Sequence, residues 1–121
     1  MRGIVLFAHG SRDAQWAAPF EAIRERVRTS RPEYPIELAY LEIMAPTLEQ
    51  AIASLVEQGA LAITVFPLFM AQGGHLKQDI PRMLDEIRAL HPRIPMALET
   101  ALGDAPEIRQ AIAEWILARA G

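Results

Sequence analysis

A length of 121 residues fits one compact domain, and 51% hydrophobic against 22% charged residues supplies a real core and excludes disorder. The formal net charge of -3 lacks the basic surface that nucleic-acid binding needs, and the absence of cysteine removes disulfides and thiolate metal sites. Imidazole and carboxylate are left as the strong metal ligands, and neither a signal peptide nor the roughly twenty apolar residues of a membrane span can be read. The expectation is one cytoplasmic domain over residues 1–121, with neither nucleic acid nor membrane as a partner.

In chain order, Ile4 to Ala8 is an apolar run that reads as a strand closed by His9 and Gly10. Phe20, Ile23 and Val27 then recur at helical spacing, and a proline-broken loop follows from Ser30 to Pro35. Ile36 to Leu41 is a second strand, after which Leu48, Ile52, Leu55 and Val56 stripe a helix ending at Gly59. Leu61 to Met70 is a third strand. Leu76, Ile80, Met83, Leu84, Ile87 and Leu90 mark a third helix stopped by His91 and Pro92. A short strand from Met96 to Thr100 leads to a last helix lined by Ile108, Ile112, Trp115 and Ile116. Strands alternating with helices predict an α/β fold, an open four-stranded parallel sheet with helices on both faces. The first and third strands are almost unbroken apolar runs and read as central, whereas the alternating second and short fourth read as edges. With right-handed crossovers this gives strand order 2-1-3-4, the flavodoxin-like arrangement.

In such a sheet, ligands bind beyond the carboxyl ends of the strands where the order reverses, between strands one and three. Two loops meet there, His9 to Asp13 and Met70 to His75, and each holds one of the chain's three histidines. His91 precedes Pro92 at a helix end and reads as structural. Gly73 and Gly74 would let a flat ligand approach the main chain closely. Glu42 ends strand two beside the same place, as a site group or as an ordinary solvated carboxylate. Trp16, Met44 and Met83 read most simply as packing residues. Two imidazoles without a fixed third ligand make an open site suited to cobalt, nickel or iron, where an ion can be held and released. A neutral imidazole can also accept a proton, so His9 is the candidate for both tasks. A phosphohistidine enzyme would want an arginine beside His9, where Ala8 stands, and the G-x-S-x-G elbow of an α/β-hydrolase is absent. A non-catalytic metal carrier or sensor of flavodoxin-like fold, using the same histidines, remains open.

Three segments carry a resemblance: Leu6 to Asp13 (LFAHGSRD), Leu41 to Leu48 (LEIMAPTL) and Pro67 to Pro81 (PLFMAQGGHLKQDIP). They closely resemble the small CbiX/SirB-type sirohydrochlorin chelatases, in order and over essentially the whole chain, the third segment being the most specific. The resemblance implies a class II chelatase fold and a homodimer that imitates the two halves of longer chelatases. It implies that His9 is a metal ligand and proton acceptor, that His75 is the second metal ligand, and that Met70, Ala71, Gln72, Gly73 and Gly74 line a tetrapyrrole site bordered by Glu42. The substrates would be sirohydrochlorin and a divalent ion (Co2+, Fe2+ or Ni2+), on the way to cobalamin, sirohaem or a nickel cofactor, with no permanently bound cofactor. The histidine-rich tract of some relatives is absent, which leaves the ion open. Arg12, Lys77 and Arg82 flank the two loops and could meet substrate carboxylates. Leu68, Phe69 and Met70 read as an apolar wall that a second copy would cover.

Overall fold

Strand β1 (Arg2–Ala8) is the axis of the molecule, hydrogen-bonded in parallel to β2 (Ile36–Tyr40) on one side and β3 (Ala62–Pro67) on the other. The short β4 (Met96–Leu98) pairs with β3, so the order is β2-β1-β3-β4 as the pattern predicts. Four helices complete the chain: α1 (Ala18–Ser30), α2 (Leu48–Glu57), α3 (Gly74–Leu90) and α4 (Pro106–Ala120). The computed structural model describes all residues from Met1 to Gly121.

Alternation along the strands sorts the core into two layers. Val5, Phe7, Ile63 and Val65 face α2 and α3 and are sealed by Leu48, Ile52, Leu55, Leu84 and Ile87. Leu6, Ala8, Leu38 and Tyr40 face the other way, and α1 covers them with Phe20 and Val27. Trp16 and Met44 pack on this second layer and Met83 on the first, as expected of packing residues. Helix α2 opens with a capping box in which the Thr47 side chain accepts from Gln50 N–H and the Gln50 side chain accepts from Thr47 N–H. His91 caps α3, its N–H donating to the Arg88 carbonyl and its own carbonyl accepting from Ile94.

Two sequence expectations change. Phe69 does not belong to an exposed wall: it is buried, with its ring edge-on to Phe7 at 5.7 Å, and only Met70 of that trio stands well out of the surface. The last helix has the expected form but does not lie on the sheet. No residue of α4 is buried, and its main contacts are with the short 3-10 turn Leu102–Asp104 that precedes it. Apolar spacing determines that a segment becomes helical and which side wants cover, while the connecting turn determines where the helix goes.

Candidate functional site

The carboxyl ends of β1, β2 and β3 are stitched together by main-chain hydrogen bonds, which places the loops that follow them. Leu41 N–H donates to the Ala8 carbonyl and Glu42 N–H to the His9 carbonyl, at 2.9 and 3.1 Å. Leu68 N–H donates to the Phe7 carbonyl at 2.8 Å, and Gly103 N–H to the Phe69 carbonyl at 3.0 Å. The site loops therefore hang directly from the sheet.

Gly10 makes the approach of the first two loops possible. Its φ is +103°, and a Cβ at this position would run into the carbonyl oxygen of Glu42. Across that contact the His9 ring meets the Glu42 carboxylate, with Nε2 and Oε1 2.9 Å apart. Both side chains are about half exposed, at 52% and 55%, so solvent screening leaves this pair little to contribute to stability. The Phe69 ring stands edge-on to the imidazole at 6.1 Å and fixes it from the core side.

The next turn is strained. Ile43 has φ +71°, a region that a β-branched residue rarely occupies, and Met44 N–H reaches back to the Glu42 carbonyl at 2.7 Å. The turn leaves Ile43 61% exposed beside the His9–Glu42 pair. On the opposite loop Met70 is 57% exposed, and its carbonyl lies where a Cβ of residue 103 would be, so Gly103 is needed for the Met70 loop to close on the turn after β4.

His75 is the second residue of α3 and is exposed, in the first turn of a helix whose Gly73 cap brings no side-chain acceptor to the opening N–H groups. His9 and Glu42 come together as a pair, but no three imidazole or carboxylate groups gather into a cluster that could enclose an ion. Ala71, Gly73 and Gly74 are exposed along the same loop, and Gln72 is half buried. Gln72 and Lys77 line a cleft of about 330 Å³ with Pro67, Pro81, Glu99 and Thr100. Arg82 is engaged by Asp79 at 3.4 Å, whereas Arg12 and Lys77 form no ion pair. Gly103 and Ile43 are the positions that sequence reasoning missed. A glycine in an apparent connector and an isoleucine in a tight turn carry no periodicity signal, and only their backbone contacts reveal them.

A model of the CbiX family matches residues 3–118. The chain is 39% identical over 92 residues to the sirohydrochlorin cobaltochelatase of Methanocaldococcus jannaschii, an alignment covering 75% of this chain and 64% of that protein. It is 32% identical over 120 residues to the sirohydrochlorin ferrochelatase of Priestia megaterium, covering 98% of this chain and 43% of that protein. The chain thus spans less than two thirds of these curated relatives. Among solved structures, a cobalamin (vitamin B12) biosynthesis CbiX protein from Marinobacter aquaeolei VT8 superposes with TM-score 0.84 at 32% identity, covering 99% of this chain and 95% of that one. SirB from Bacillus subtilis, solved with Fe3+, superposes with TM-score 0.77 at 26% identity, covering 93% of this chain and 45% of that one. The match over residues 3–118, with a four-stranded parallel sheet of order 2-1-3-4, places the chain in the CbiX family.

Proposed function

We propose that this chain, a single CbiX-type domain over 1–121, inserts a divalent metal ion into sirohydrochlorin, with cobalt as the first candidate and iron or nickel as alternatives. The observation that carries the reading is the His9–Glu42 hydrogen bond at the carboxyl end of the sheet, in a chain of the CbiX family. The relatives named as sirohydrochlorin cobaltochelatase and sirohydrochlorin ferrochelatase support the ring and cobalt or iron as the ion.

Insertion replaces two pyrrole N–H hydrogens by one M2+ ion, so the site must hold an ion loosely and remove two protons. The Glu42 carboxylate can only accept, so a neutral His9 keeps its hydrogen on Nε2 and the free lone pair falls on Nδ1. That nitrogen, Nδ1, takes an ion or one pyrrole proton, with Glu42 fixing the ring's tautomer and orientation, and the second proton leaves to solvent. His75 is the second ligand. Ile43 and Met70 offer exposed apolar surface to the flat ring, and the exposed main chain of Ala71, Gly73 and Gly74 allows close approach, with Gln72 at the margin. Arg12, Lys77 and the opening N–H groups of α3 meet ring carboxylates. In this reading two copies face one another across the ring, since one copy presents His9, Glu42 and His75 on an open surface.

The test is anaerobic metallation of sirohydrochlorin by the purified chain with cobalt, iron or nickel, followed by absorption. Many rings metallated per chain is the expected result. A spectral change that stops at one ring per chain would overturn the enzymatic reading in favour of a metal carrier.

A further inference from the structure

Two surfaces of this chain lack cover, and they match one another. The first is α4, fifteen residues with none buried. By helical spacing Ile108, Ile112, Trp115 and Ile116 share one side, and Glu107, Gln110 and Glu114 lie opposite, where Gln110 and Glu114 hydrogen-bond at 2.9 Å. Trp115 is 60% exposed. A helix of this length is marginal in water on its own and draws its stability from packing its apolar side.

The second surface is half of the sheet. Register puts Thr64 and Ala97 on the face of Ile4, and Phe66 on the face of Leu6, which is the face that α1 covers over β1 and β2. Two helices lie on the other face and only α1 on this one, so no helix covers its β3–β4 half; Thr64 there is buried, with Arg2 Nη1 donating to its hydroxyl at 3.1 Å. Ala97 is exposed there, and a groove of about 420 Å³ runs alongside, floored by Phe66, Leu68, Leu102, Ala105 and Ile108 and rimmed by Glu99 and Asp104.

We infer that α4 is an exchange arm: in a two-fold pair of this chain, each copy's α4 lies across the helix-free β3–β4 half of the other's sheet. The inference deepens the two-copy reading of the site and rests on it only for the number of copies. The helix starts at its own groove, where Pro106 and Ile108 are among the lining residues, but Ile112 to Leu117 are exposed beyond it. Charge agrees with the exchange. Glu99 and Asp104 form no ion pair, and the two cations of α4, Arg109 and Arg119, form none either; Arg119 only stacks over its own Trp115 at 4.4 Å. An arm of fifteen residues is about 22 Å long and 10 Å wide, and two arms with two receiving grooves make four such surfaces. Their sum is roughly 900 Å², just short of the roughly 1,000 Å² of a specific interface, so the facing sites of the two copies supply the remainder. Reciprocal use of one patch is what two-fold symmetry requires.

The cysteine-free sequence makes the test direct. Ala97→Cys and Ala111→Cys are prepared in separate full-length chains, mixed and treated with a short bismaleimide. The expected product is a covalent pair at twice the chain mass, formed in the mixture and much less in either variant alone. The double variant in one chain should also link to a second chain. Cross-linking within a single chain would overturn the inference, because α4 would then lie on its own sheet. A wild-type dimer by sedimentation with no product between the two sites would overturn the arm while sparing the pairing. A monomer at micromolar concentration would overturn both. Independently, Trp115→Asp should raise the dimer dissociation constant at least roughly a hundredfold while the sheet still melts cooperatively. An unchanged dissociation constant would overturn the arm.

Discussion

The His9–Glu42 contact joins two exposed side chains, so its value lies in what it does to the imidazole rather than in stability. If His9 takes ion and proton as proposed, His9→Ala should lower the metallation rate at saturating metal roughly 10²–10⁴-fold with ring binding largely kept. Alanine is the right replacement because a glutamine amide oxygen could still coordinate. Glu42→Gln keeps an acceptor oxygen for Nε2 but loses the charge, and should cost about 10–100-fold in metal affinity or turnover, between wild type and His9→Ala. His75→Ala should weaken cobalt binding in a calorimetric titration and leave ring binding nearly intact. Unchanged cobalt affinity would return His75 to a structural role. Tyr40 gives a prediction of another kind. Burial pushes its hydroxyl above the ordinary tyrosine range, the Glu21 charge adds to this and Arg24 opposes it. The folded chain therefore holds this proton after the unfolded chain has lost it. Stability from Tyr40 is complete below about pH 10 and declines as pH rises beyond. In alkaline denaturation Tyr40→Phe should flatten that decline.

At the scale of elements, the site consists of strand-end turns whose backbones do unusual things. Ile43 adopts a left-handed φ that costs a β-branched residue on the order of 1–2 kcal/mol. Ile43→Gly should recover part of this, raising stability by up to about 1 kcal/mol in urea titration. If the exposed side chain meets the ring, KM for sirohydrochlorin should rise in the same variant. Gly103→Ala drives a Cβ into the Met70 carbonyl and should disturb the Met70–Gly74 loop, lowering ring affinity although Gly103 has no side chain to offer the ring. The elements themselves were legible in the sequence because apolar periodicity encodes them. The unbroken runs of β1 and β3 revealed the central strands, and the loops bearing His9 and His75 followed from the switch point between them. The strand ends were read a few residues too long at Met70 and Thr100, since apolar side chains continue into loops that leave the ladder. Ile43 and Gly103 were invisible, because what they do is settled by φ and by a distant carbonyl.

At the scale of the molecule, strand order 2-1-3-4 followed from edge and centre character together with right-handed crossovers. The placement of α4 did not follow. Its apolar residues demanded cover, and a single-chain reading could supply only the sheet of the same chain. The exposed Ile112, Trp115, Ile116 and Leu117 show that demand unmet within one copy. In the site, the structure joins His9 to Glu42 and leaves His75 exposed at the opening of α3. Deleting residues 107–121 should give a chain that keeps the sheet's circular dichroism and cooperative melt but sediments as a monomer with little metallation activity. Retained dimerisation in that chain would place the contact elsewhere.

The stitches at the strand ends also bear on motion. Leu41, Glu42 and Leu68 donate their amides to carbonyls of β1 and of the residue following it, the strand with a neighbour on both sides. Opening those bonds means tearing the centre of the sheet, so their hydrogen–deuterium exchange should be as slow as the slowest amides of Val5 and Val65, with the free energy of global unfolding. The backbones of His9 and Glu42 would then hold their relative placement through every fluctuation short of unfolding, while the exposed side chains remain free to turn. In the proposed pair of copies, a broad, flat ring would then enter by relative movement of the two, on the microsecond-to-millisecond scale of subunit motions.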